Sequence, residues 1–160
     1  MAKRFAKLSS FEFPADRLLA VLTNPDFQVA REKNNGAVEA RVVEVERSAA
    51  KLVYEVHTTE YAKGITGVDK TKTEKAVSRY EFDLPKQEGR WTYKGAHADK
   101  VVVWGQIKVG AAGKASTMDA DFNVEVKIPL VGGKVEAVVI AETEKTWPSY
   151  ENLIREFAGK

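Results

Sequence analysis

The order of apolar and polar positions divides the chain into three zones. In the first, Phe5, Phe11 and Phe13 share one parity, which predicts a strand over residues 3–13 that ends at Pro14. Two short helices follow. One covers Pro14–Leu22 and opens on a proline where a missing N–H costs nothing; the other has Asn24 as N-cap and Pro25 at the first helical position. Asn34-Asn35-Gly36 closes the pair. From Ala37 to Ile128 the period changes to two, with β-branched and aromatic residues between turn signals, and predicts about six strands. The last is the clearest. There Met118, Ala120, Phe122, Val124, Val126 and Ile128 alternate with polar residues, as in an antiparallel sheet covered on one face only. Parity slips where Val38, Ala40 and Val42 give way to Val43 and Val45, which predicts a β-bulge at Val42-Val43. Gly110-Ala111-Ala112-Gly113 predicts the hairpin turn between the last two strands.

In the third zone, Leu130 to Phe157, the period becomes helical. Counted at 100° per residue, Val131, Val135, Val138, Val139, Thr146, Tyr150, Leu153 and Phe157 fall in one sector of roughly 120°. That is one long amphipathic helix, with Pro148 expected to kink or interrupt it.

Composition narrows the chemistry more than the architecture. The chain has 160 residues, with 25 Lys+Arg against 23 Asp+Glu and a net charge of +2, so a nucleic-acid partner is not expected. It holds no cysteine, which removes thiolate metal sites and thiol nucleophiles. His57 is expected to point to solvent and His97 lies in a turn; neither has a second ligand at metal-binding spacing, so neither a metal nor a cofactor is expected. There is no Gly-x-Ser-x-Gly elbow, and Gly110–Ser116 lacks the spacing of a phosphate loop. No apolar run suits a signal peptide or membrane anchor, so a cytoplasmic location is expected, as a single domain over 1–160.

A strand, two small helices, an antiparallel meander and a long terminal helix make an α+β order, β-α-α-β(6)-α, in which the last helix covers a curved sheet. The chain resembles the helix-grip fold of the START-like superfamily. Within it, Lys127-Ile128-Pro129-Leu130-Val131-Gly132-Gly133-Lys134-Val135-Glu136, with Pro14–Leu19 and Asn24–Phe27, is similar to the DUF2505 type of bacterial proteins. The resemblance implies a cavity between sheet and C-terminal helix that holds a small hydrophobic molecule such as a lipid, sterol, quinone or polyketide.

Strand parity nominates Tyr54, Val56, Thr58, Tyr80, Phe82, Trp91, Tyr93, Val103, Met118 and Phe122 as the inward lining, facing Val135, Val138 and Val139. Ordinary core packing accounts equally for any one of them, but three phenols among them each need a partner. Glu142 lies about 20° from Val131 and so inside the apolar sector, where a carboxylate must pair, protonate or meet water. It is a candidate to orient a ligand hydroxyl or act as an acid or base, or else a glutamate at the cavity mouth or bonded to a tyrosine. Glu60–Glu74, with Gly64, Gly67 and several lysines, is the longest irregular stretch: a lid or an exposed hairpin. The reading favours binding over catalysis. A cyclase or dehydratase using Glu142 with Tyr54 or Tyr80, and a protein-interaction module without a cavity, remain the alternatives.

Overall fold

A computed structural model describes residues 2–64 and 67–160. Strand β1 (Lys3–Phe11) leads into helices α1 (Ala15–Leu22) and α2 (Pro25–Asn34). Six strands follow: β2 (Glu39–Arg47), β3 (Lys51–Gly64), β4 (Gly67–Asp83), β5 (Glu88–Lys94), β6 (Val101–Ala112) and β7 (Ala115–Val126); helix α3 (Gly132–Ala158) ends the chain. The strands form one antiparallel sheet in the order β1-β7-β6-β5-β4-β3-β2, so the meander is closed at one edge by the first strand. This is the α+β helix-grip architecture expected from the order of periods.

The helix starts follow the local chemistry. The Asn24 side chain accepts from the Asp26 N–H at 2.9 Å, and Pro25 occupies the first turn of α2. Helix α1 buries Ala15, Leu18, Val21 and Leu22 on one stripe, and Arg17 donates to the Ala158 carbonyl at 2.7 Å, which satisfies a free acceptor at the end of α3. The core is centred on Phe11, Leu18, Leu22, Phe27, Tyr54, Tyr80, Phe82, Met118 and Ile154. A second cluster, around Phe5, Phe122, Val124 and Val126, receives the first half of α3.

Four details differ from expectation. The bulge lies between Glu44 and Glu46 rather than at Val42-Val43, so Val42 keeps its inward place and half-exposed Val45 is the extra residue. The β6–β7 turn is tighter and later: Ala112 pairs with Ala115, leaving Gly113-Lys114 at the tip with Gly113 at φ 66°. Helix α3 runs unbroken through Pro148, because the Glu144 carbonyl that loses its donor belongs to an exposed residue and can be hydrated. Finally, Glu60–Gly64 and Gly67–Glu74 continue the β3–β4 ladder, so this stretch is regular rather than irregular and matches the exposed-hairpin alternative as the outer end of a long hairpin; residues 65 and 66 lie outside those described. Most of this ribbon is flanked by no further strand and is polar on both faces, so hydrophobic alternation had nothing to register there.

Candidate ligand site

The concave face of the sheet carries an aromatic ladder. Tyr54 and Tyr80 are paired across β3 and β4 and stack at 5.0 Å between ring centroids; Tyr80 and Trp91 are paired across β4 and β5 at 6.2 Å. Trp91 lies over Gly105, where a Cβ would stand 2.6 Å from the indole and 2.5 Å from the Asp121 carbonyl oxygen. Only glycine lets the ring settle that close to the sheet. Trp91 then reaches Phe122 at 6.2 Å and joins the two apolar clusters.

Each inward phenol has a partner, as burial requires. Tyr54 donates to the Leu22 carbonyl at 3.1 Å and accepts from Gln28 Nε2 at 2.9 Å. Tyr80 accepts from the Arg31 guanidinium, which also pairs with Glu32 at 2.7 Å and lies 6.0 Å from the Tyr150 ring centroid. Tyr93 donates to Glu60 Oε2 at 3.1 Å, and Thr58 Oγ1 donates to Glu60 Oε1 at 3.2 Å. Burial pushes the Tyr80 phenol up to about 12, with Arg31 opposing the shift and Glu32 adding to it. Burial, followed by the adjacent Glu60 carboxylate, raises Tyr93 far above the ordinary phenol range. These groups are therefore neutral hydrogen-bond donors and acceptors at physiological pH.

Of the nominated lining, Tyr54, Val56, Thr58, Tyr80, Phe82, Met118 and Phe122 are buried, while Trp91, Tyr93 and Val103 are half-buried on the same face. Val135 and Val139 pack beside Val101, Val103 and Trp91 around the second cluster. Among the described residues, the α3 backbone approaches β1, β7, α1 and α2 but not β3 to β6. The helix thus crosses one side of the sheet. Half-buried Trp91, Val101 and Val103 gather with its valines around the second cluster, and half-buried Tyr93 continues the same face to the Glu60 carboxylate.

Two nominated residues lie elsewhere. Glu142 is exposed and Val138 is 59% exposed. The reason is helical phase. The buried and half-buried positions of α3 are Gly132, Val135, Glu136, Val139, Ile140, Thr143, Trp147, Tyr150, Glu151, Leu153, Ile154, Phe157 and Ala158, a stripe that overlaps the predicted sector but is centred roughly 70° round the helix from it. Glu142 is accordingly not the buried carboxyl of this helix, and it does not join Tyr54 or Tyr80, whose hydroxyls meet other groups. The buried carboxyl is Glu136, 2% exposed, whose Oε2 accepts from the Val126 N–H at 2.8 Å. It pins the start of α3 to the end of β7. Gly132 completes the joint, because a Cβ there would stand 2.2 Å from the Val126 carbonyl oxygen. Both Glu136 and Glu60 were missed by sequence reading, although Glu60 continues the 54-56-58 parity.

His57 Nε2 lies 3.0 Å from Glu55 Oε1 on the outer face, and the exposed His97 Nε2 lies 3.3 Å from Glu74 Oε1, whose residue is paired with Glu60 across β3 and β4.

The sequence matches the DUF2505 family, described as a protein of unknown function, over residues 8–157, and the chain belongs to it. By sequence, no match is found among curated proteins. By structure, the chain is similar to TTHA0849 from Thermus thermophilus, with 14% identity, 98% of this chain and 97% of that one covered, and a TM-score of 0.64. It is also similar to the Zhui aromatase/cyclase from Streptomyces sp. R1128, with 13% identity, coverage of 99% and 94%, and a TM-score of 0.64. A START superfamily protein from Mycobacterium smegmatis aligns at 15% identity with coverage of 96% and 97% and a TM-score of 0.59. The fold is that of the START-like, helix-grip superfamily.

Proposed function

We propose that this protein holds a small, mostly apolar molecule between the concave face of β5 and β6 and the first half of α3, without transforming it. The observation that carries the reading is that Trp91, Val101 and Val103 are only half-buried and gather with Val135 and Val139 around the second cluster, where the α3 backbone keeps away from the central strands, while half-buried Tyr93 continues the same face. Binding sites for small molecules combine such apolar walls with a few convergent polar groups. Glu60 supplies the polar end. Its two oxygens have capacity for about four hydrogen bonds, of which Tyr93 and Thr58 occupy one on each, so a ligand O–H or N–H can be received there. The START-like fold commonly binds hydrophobic ligands, and in the Zhui aromatase/cyclase it also supports an enzyme.

Holding rather than transforming is favoured because the candidate acid Glu142 faces solvent and the phenols of Tyr54 and Tyr80 are engaged by Gln28, Leu22 and Arg31. The test pairs native mass spectrometry of the purified protein with fluorescence titration of 2-naphthol against naphthalene. A retained apolar mass, and a preference for 2-naphthol that falls about tenfold in Glu60→Gln, are expected from loss of a charge-assisted hydrogen bond. Absence of binding of either probe would overturn the reading, and equal preference in the variant would remove Glu60 from it.

A further inference from the structure

The joint between β7 and α3 presents a feature that the ligand site leaves unused. Leu130 is 99% exposed, in a turn where its φ is +72°, so the backbone lifts a large apolar side chain clear of the protein. Pro129 beside it is exposed as well. The outward face of the next helical turns carries Gly133, Lys134, Ala137, Val138 and Ala141, with no acid before Glu142. A groove of about 400 Å³ opens beside Leu130, between the start of β1 and the start of α3.

The rim of this patch is basic. Lys3 Nζ donates to the Gly133 carbonyl at 2.7 Å, Lys134 follows in α3, and the Lys127 N–H donates to the Lys100 carbonyl at 2.6 Å, which brings Lys100 alongside. All four lysines are exposed. The acids nearby are Asp99, Glu125 at 3.8 Å from Lys127, and Glu136, which is buried beneath the groove and held by Val126.

We propose that this turn docks the protein on an anionic lipid surface, with Leu130 and Val138 entering the headgroup boundary and Lys3, Lys100, Lys127 and Lys134 meeting lipid phosphates and carboxylates. A protruding apolar side chain ringed by cations matches a bilayer interface, where apolar burial and attraction to anionic headgroups add. A second protein would need a far broader complementary face, roughly 1,000 Å² or more for a specific interface. Here a leucine, a valine and small residues supply only a narrow one.

The experiment is flotation of the full chain with vesicles of phosphatidylcholine alone and with one third phosphatidylserine. The wild type should float with the anionic vesicles, less so as salt rises. Leu130→Asp should reduce the bound fraction about tenfold, and the Lys127→Glu, Lys134→Glu double variant should also abolish the salt dependence. Leu130 is free of the core, and an unchanged thermal midpoint confirms that its variant is folded. Equal flotation with both vesicle types, no flotation, or full binding by Leu130→Asp would overturn the proposal. So would a concentration-dependent dimer in sedimentation velocity that Leu130→Asp abolishes, since that would assign the face to a second copy. None of these results depends on the 2-naphthol titration.

Discussion

The two halves of α3 are built from different residues and do different things. In the C-terminal half, Trp147, Tyr150, Leu153, Ile154 and Phe157 press into the main core, with Phe27 5.5 Å from Phe157 and Trp147 Nε1 donating to Ser9 Oγ at 2.9 Å. Its outward face is polar. In the N-terminal half, the inward side is a glycine, a bonded glutamate, valines and Ile140, and the outward side of its first turns is small and apolar apart from Lys134. One half is anchored by large rings, the other by a joint at Gly132 and Glu136. On the proposed reading the C-terminal half is the clamp and the N-terminal half the gate of the ligand site, a division that follows how burial and side-chain volume vary along a continuous backbone.

Breaking the clamp should have the largest effect. Ile154→Ala removes a fully buried side chain and Trp147→Ala a large ring with its hydrogen bond, each expected to cost about 3 to 5 kcal/mol in urea unfolding. Breaking the joint should cost less. Glu136→Ala leaves the Val126 N–H without its acceptor and is expected to cost about 1 to 3 kcal/mol; Gly132→Ala forces a similar shift of the helix start, also about 1 to 3 kcal/mol. The outward face of the gate should tolerate change: Val138→Asp is expected to alter stability by less than about 0.5 kcal/mol.

Alkaline titration probes the phenols on the sheet that both halves of the helix face. The folded Tyr80 phenol, raised by burial to about 12 from an ordinary 10.0, stays protonated after the unfolded chain has begun to ionise. The stability it contributes is therefore fully present below pH 10 and is lost as pH rises toward about 12, with Tyr54 and Tyr93 acting in the same direction. Unfolding midpoints taken between pH 9 and 12 should fall progressively, and absorbance at the phenolate band should lag behind that of the unfolded protein.

Strand parity made the fold legible, because a sheet covered on one face must alternate and the inward residues of β3, β4, β5 and β7 did so. Tyr54, Val56, Tyr80, Phe82, Met118 and Phe122 are buried for that reason. The gate was harder to read. Val131, Val135, Val138 and Val139 form a wide apolar arc, but helix phase is set by the large side chains at 147, 150, 154 and 157, and it turns Val138 and Glu142 outward and Glu136 inward. Position along an amphipathic stripe was therefore misjudged by less than a quarter turn, enough to exchange one glutamate for another. Glu60 was overlooked because its strand runs into the polar ribbon of the long hairpin, where no hydrophobic alternation marks the inward side.

On the proposed reading the strip beneath the gate is open to a ligand. Titration of the neutral dye N-phenyl-1-naphthylamine into the wild type and Val103→Trp tests it directly, since Val103 gathers with Trp91 and Val139 around the second cluster and a larger ring there would fill the proposed site. The account predicts saturable, one-to-one dye binding by the wild type and at least about tenfold weaker binding by the variant at an unchanged unfolding midpoint. Equal binding by both proteins, or none by the wild type, would contradict it.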